Sequence, residues 1–121
     1  MYMYTILCVE DRDENLLVIE RVSEVFSAHL IKTHTAEEGI MFAREQQPDL
    51  IMMDLGLPGI DGLTAVKMLK DDPLTEHIPV IVVTGSTHVS VQECLDAGAV
   101  DHILKPFTLS KLMVVLHKHG L

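Results

Sequence analysis

Three carboxylates, one hydroxyl and one ammonium in this sequence share a position: each stands at the end of a short apolar run. Glu10 and Asp11 follow the run Tyr4 to Val9, Asp54 follows Leu50 to Met53, Thr84 follows Val80 to Val83, and Lys105 follows Val100 to Leu104. Carboxylates gathered in one place repel one another and raise one another's proton affinity, so such a cluster persists when a cation neutralises it. All-oxygen donors without His or Cys select a hard cation, Mg2+ or Mn2+, over zinc. Mg2+ keeps several waters and commonly takes few carboxylates together with a phosphate, so the set is half built for phosphoryl chemistry. Lys105 supplies a point charge for one phosphoryl oxygen, and Thr84 a hydroxyl donor for another. Asp54 is then the expected nucleophile, forming an acyl phosphate. Positioning and charge neutralisation are most of what phosphoryl transfer asks of a protein.

These residues converge only if the runs before them are neighbouring strands of one sheet. Three of the runs are nearly continuous in Ile, Leu, Val and Met, as strands covered on both faces read; Leu30 to Thr33 adds another, and Val100 to Leu104 is weaker. Helical segments alternate with them. Asp13 is the expected cap of a helix whose Val18, Val22, Val25 and Phe26 share a face. Thr35 and Glu38 have capping-box spacing before Ile40, Phe42 and Ala43, and Pro48 follows. Asp61 and Gly62 precede Leu63, Val66 and Leu69, with Pro73 as the stop. A fourth helix is predicted from about His88 to Asp96, ended by Gly98, and Thr108 caps a fifth carrying Leu109, Leu112, Val115 and Leu116 before Gly120. Five βα units in this length predict a flavodoxin-like α/β fold, a doubly wound five-stranded parallel sheet of order 2-1-3-4-5. Ligands in such sheets bind outside the carboxyl ends of the strands at the switch point, here between strands 1 and 3.

The bulk composition agrees. With 121 residues, 48% of them hydrophobic, the chain has the size of one domain, 1–121, with an ample core. A net charge of −9 argues against nucleic acid and anionic membranes as partners. No stretch is long and apolar enough to span a bilayer, and the N-terminus lacks a basic signal region, so a cytoplasmic location is expected. Cys8 and Cys94 lie far apart inside apolar segments and read as reduced, buried thiols. Met52, Met53 and Met68 read as core filler. His117 and His119, two apart on a helix, do not share a face and read as solvated tail residues. The stretch Gly59 to Gly62 reads as a tight turn plus helix cap rather than a phosphate loop.

Four stretches together resemble the receiver domains of two-component response regulators, and the chemotaxis-type, CheY-like single-domain members in particular: Ile6 to Asp11, Pro48 to Gly62, Pro79 to Thr84, and Gly98 to Phe107. The resemblance runs the length of the chain. It implies a phosphorelay switch in which Asp54 accepts a phosphoryl group from a histidine kinase or histidine phosphotransfer protein. It implies that Glu10, Asp11, Asp54 and the backbone carbonyl of Gly56 hold the Mg2+. Thr84 is implied as the switch hydroxyl, Lys105 as the partner of a phosphoryl oxygen, and the Lys105–Pro106 bond as cis. The implied output face comprises helix 4, strand 5 and helix 5, here with Val89, Cys94, His102, Leu109, Leu112 and Met113. His102 occupies the switch position where the family usually has Tyr or Phe, and Gly56 and Ser86 occupy positions on the path to the phosphoryl group where side chains vary. Such a domain catalyses only its own phosphorylation and dephosphorylation.

The fifth helix lacks the alternating acid and Arg pattern of DNA-binding regulator dimers, so a monomer is expected. Met1 close to the first strand favours a stand-alone protein over a receiver excised from a hybrid histidine kinase or multidomain regulator. A haloacid-dehalogenase-type phosphohydrolase also uses a strand-end Asp, a Lys and Mg2+, but needs a second acid two residues after the nucleophile, where this chain has Gly56. A pseudo-receiver that binds without phosphorylation has only His102 in its favour.

Overall fold

A computed structural model describes residues 3–56, 61–85 and 89–121. Five strands and five helices alternate: β1 (Tyr4–Val9), α1 (Asp13–Val25), β2 (Ala28–Thr33), α2 (Ala36–Gln46), β3 (Leu50–Asp54), α3 (Gly62–Asp71), β4 (Val80–Thr84), α4 (Val91–Ala97), β5 (Asp101–Leu104) and α5 (Leu109–Lys118). All strand pairings are parallel, and the order is β2-β1-β3-β4-β5, as the alternation of runs and helical segments predicts.

The apolar strands become central because they bury both faces. Every residue of β3 and β4 is buried, whereas the edge strands β2 and β5 are only partly so. Successive side chains along a strand point to opposite sides, so each central strand feeds two cores. Leu7, Val9, Ile51, Met53, Val80 and Val82 pack with α2, α3 and α4. Ile6, Cys8, Met52, Ile81, Val83 and Ile103 pack with α1 and α5. Helices therefore cover both sheet faces, and the polar strand ends are left at the rim.

Several local expectations are corrected. Helix α1 begins at Asp13 itself, so Arg12 is the N-cap, with extended backbone and no side-chain cap bond. Its inner face is Leu16, Ile19 and Val22, which pack in the core shared with α5, while Val25 is 58% exposed in the last turn of the helix. Strand β2 starts at Ala28, earlier than the Leu30 run, because pairing with β1 carries the ladder back to Tyr4. Strand β5 starts one residue after Val100. Helix α4 is capped by Ser90 in a reciprocal capping box with Glu93, which sets its start later than about His88, a residue outside the described ones. Thr35 accepts from the Glu38 N–H as expected, but the Glu38 carboxylate returns to the His34 N–H, one residue upstream of a standard box. Met68 is 44% exposed rather than core filler, whereas Met52 and Met53 are buried. Cys8 and Cys94 are both free and buried. Gly98 ends α4 with φ 112°, a left-handed conformation that suits glycine. Asp61 caps α3 by accepting from the Leu63 and Thr64 N–H groups; Gly59 and Ile60 lie outside the described residues. Among the described residues, no helix is long and apolar enough to cross a membrane.

Candidate functional site

The rim at the carboxyl ends of β1, β3 and β4 is fixed by backbone bonds that continue the ladders. The Glu10 N–H donates to the Thr33 carbonyl at 3.0 Å, Leu55 N–H to Val83 at 3.0 Å, and Lys105 N–H to Thr84 at 2.8 Å. Glu10, Asp54 and Thr84 are thereby held as buried polar residues, while Asp11 faces solvent. Strand order alone brings Glu10 and Asp11 beside Asp54, since β1 and β3 are adjacent. Carboxylate oxygens of Glu10, Asp11 and Asp54 lie within 4.8 Å of one another.

Lys105 enters this cluster from the far side of β4. Its Nζ donates to Glu10 Oε2 at 2.8 Å and to Asp54 Oδ2 at 3.2 Å. The second Asp54 oxygen, Oδ1, accepts from the Gly56 N–H at 3.0 Å. The second Glu10 oxygen, Oε1, accepts from the Arg12 N–H at 3.2 Å and the Asn15 side-chain amide at 3.3 Å. Asp11, Asn15, Asp54, Gly56, Thr84 and Lys105 line one open cavity over the cluster.

Electrostatics follow from burial and proximity. Burial pushes the Glu10 pKa up; donation from Lys105 pulls it back, and the neighbouring Asp54 charge adds to the rise. Burial works against the Lys105 ammonium, but its bonds and charge interactions with Glu10 and Asp54 outweigh that and hold its pKa above the usual lysine value. The Cys8 thiol, beneath the rim, is pushed up chiefly by burial and then by the charges of Glu10 and Asp54, so it is no candidate nucleophile. With all groups ionised, three carboxylates face one ammonium, and the deficit of positive charge suits a divalent cation. The donors are all oxygens, so a hard cation such as Mg2+ fits them.

Of the sequence-predicted residues, Asp11, Asp54, Gly56, Thr84 and Lys105 line this cavity, and Glu10 lies buried beside it, bonded to Lys105. The Lys105–Pro106 bond is cis. Ser86 lies outside the described residues. His102 is not part of the cavity lining: it sits in β5 and lines a separate groove with Leu104, Phe107 and Lys111. Its Nε2 is buried with no hydrogen-bond partner among the described residues. The expected output face is also corrected, because Cys94 and Leu112 are 0% exposed and belong to the two cores. His119 is not a solvated tail residue: its Nε2 lies 2.8 Å from Asp101 Oδ2, tying the end of α5 to the start of β5. Asn15 escaped the sequence reading. Nothing in its type or spacing marks it; only its contact with Glu10 does.

The family model of the response regulator receiver domain matches residues 6–117. The chain is a member of the response regulator receiver family. This receiver domain is 33% identical over 116 residues to the polar-differentiation response regulator DivK of Brucella ovis, covering 95% of this chain and 94% of that one. A putative response regulator from Chloroflexus aurantiacus superposes with a TM-score of 0.88 at 29% identity, covering 96% of each chain. The receiver domain of a sensor histidine kinase from Pseudomonas aeruginosa, solved with a magnesium ion coordinated in its active site cleft, gives 0.86 at 29% identity over 98% of each chain. The function is accordingly that of a receiver domain in two-component signalling, a signalling module whose family deals with histidine kinases or phosphotransfer proteins. The cluster Glu10, Asp11 and Asp54 fits the phosphorylation site of such a module. The phosphohydrolase reading is not favoured.

Proposed function

We propose that Asp54 is the phospho-acceptor and that Glu10, Asp11, Asp54 and the Gly56 carbonyl hold Mg2+, or Mn2+ in its place. The observation that carries this reading is the single Lys105 ammonium shared between Glu10 and Asp54. An Asp54 oxygen forms a bond to phosphorus while the P–N bond of a donor phosphohistidine breaks, its electron pair returning to the imidazole nitrogen. The cation, when bound, neutralises charge on the phosphoryl oxygens. Lys105 turns from the carboxylates toward one phosphoryl oxygen, and the Thr84 hydroxyl donates to another. A cation held by Glu10, Asp11 and Asp54 would supply the positive charge that Lys105 takes away from Glu10.

The donor is a cytoplasmic histidine kinase or histidine phosphotransfer protein. The acceptor works as one unit, 1–121, and as a monomer. The altered output face lies on α4, β5 and α5, where Val91, Leu95, Leu104 and Leu109 are exposed and His102 is half-buried. On this reading His102 replaces the family's aromatic switch residue. Neither nucleic acid nor membrane is a partner. The reading is tested by treating the protein with acetyl phosphate and Mg2+ and measuring intact mass. The unaltered chain gains one phosphoryl group and Asp54→Asn gains none; a gain on the variant would remove Asp54 from its role.

A further inference from the structure

Glu10 carries one methylene more than an aspartate would at the end of β1, and a flexible buried carboxylate must be aimed if it is to hold a cation. Two donors do this. Arg12 offers its backbone N–H, and Asn15 its side-chain amide, both to the same oxygen, Oε1. The other oxygen, Oε2, is left facing Lys105 and the cluster. Asn15 is half-buried, stands in the first turn of α1 and lines the cavity, yet it donates to the carboxylate rather than offering an oxygen to the cluster. The Arg12 N–H is fixed by the backbone. Asn15 is therefore the one side chain among the described residues seen to orient Glu10 from outside the charged cluster.

We infer that Asn15 is a positioning residue for the cation site, holding Glu10 Oε1 so that the carboxylate is fixed with Oε2 turned toward the charged cluster. This rests on the reading of Glu10, Asp11 and Asp54 as the cation site. It also explains how a glutamate serves here: its extra length is taken up by the donor from α1. An aspartate at position 10 would carry its oxygens about 1.5 Å nearer the backbone, one C–C bond length. That lengthens the 3.3 Å contact with Asn15 beyond hydrogen-bond reach. The coupling between Asn15 and position 10 thus requires the glutamate and is lost when an aspartate stands there.

The test is Mg2+ titration of the unphosphorylated full chain, followed by amide NMR shifts, on the unaltered protein, Asn15→Ala, Glu10→Asp and the double variant. Loss of a side chain that orients a metal ligand typically weakens binding about tenfold or more. We expect Asn15→Ala to weaken Mg2+ binding about tenfold when Glu10 is present, and less than about twofold in the Glu10→Asp background, the pattern of a coupled pair. Asn15→Leu, which keeps the volume and removes the donor, should behave as Asn15→Ala and guards against a folding defect, checked by thermal unfolding. Unchanged affinity in folded Asn15→Ala and Asn15→Leu would overturn the inference. Equal weakening in both backgrounds would overturn it too, because that is what a merely structural role produces. If the unaltered protein shows no saturable Mg2+ binding, the cation-site reading itself falls, an outcome distinct from a normal titration that ignores Asn15.

Discussion

The Lys105 ammonium lies closer to Glu10, at 2.8 Å, than to Asp54, at 3.2 Å. One mobile cation on a four-carbon stem therefore spans carboxylates carried on two strands, and it is the only cationic side chain in contact with the cluster among the described residues. Removing it leaves two buried carboxylates facing each other.

Lys105→Met should accordingly destabilise the metal-free protein. Breaking a fully buried pair costs about 3–5 kcal/mol. The Lys105 side chain is 17% exposed, and the carboxylates can take up protons, so the expected loss is about 1–3 kcal/mol. Thermal unfolding in EDTA and again with excess Mg2+ checks this: the gap to the unaltered protein should narrow when Mg2+ is added. A gap of the same size in both buffers would separate Lys105 from the cluster's charge balance.

Two glycines near Asp54 should differ in their tolerance of alanine. A methyl group at Gly62 would stand 2.7 Å from the Leu55 Cα and 2.9 Å from the Asp54 carbonyl oxygen, both backbone atoms that cannot swing aside. At Gly56 it would meet only Asp54 Oδ1, at an ordinary 3.6 Å. Overpacking of a buried site costs about 1–3 kcal/mol, so Gly62→Ala should unfold measurably earlier in urea. Gly56→Ala should stay within about 0.5 kcal/mol of the parent. Comparable losses at both positions would contradict the close approach at Gly62.

Asp101 should contribute a pH-dependent part of stability. Burial works against its carboxylate, but donation from the His119 ring and the His102 N–H, with the Lys118 charge, outweighs this and holds its pKa below the ordinary 3.8. A depressed carboxylate pKa gives stability that is present above the unfolded value and lost as pH falls through the folded one. The melting-temperature gap between the parent and Asp101→Asn should therefore be full at about pH 5.5–6, roughly two units above that ordinary value, and should close below it. A gap that is constant down to the acid limit would mean that the aspartate acts by shape, not charge.

Much of this was legible in the sequence because it depends on periodicity and on what ends each run. The unbroken apolar content of Leu50 to Met53 and Val80 to Val83 announces strands buried on both faces, and from adjacency of strands 1 and 3 the meeting of Glu10, Asp11 and Asp54 follows. The less legible parts depend on rotation and reach. Whether Val25 or Ile19 faces the core turns on how α1 is rotated about its axis as it docks on the sheet. The burial of Cys94 and Leu112 agrees with their apolar settings in the sequence; it is their placement on an exposed output face, taken from the family resemblance, that fails. The pairing of Asp101 with His119 spans 18 residues and is set by the docking of α5. Asn15 is a neutral residue in a helical segment, and only its distance to Glu10 distinguishes it.

Strand β5 closes the sheet on one side with a single neighbour, β4, and only one of its four residues is buried. Lys105 hangs directly beyond it, whereas the carboxylates sit on interior strands clamped from both flanks. The anionic half of the site is thus mounted on strands with two neighbours each, and the cationic half follows a border strand with one. A displacement of this border strand would be handed by the lysine to both Glu10 and Asp54, so the rim of the sheet and its acid pocket are joined through one side chain.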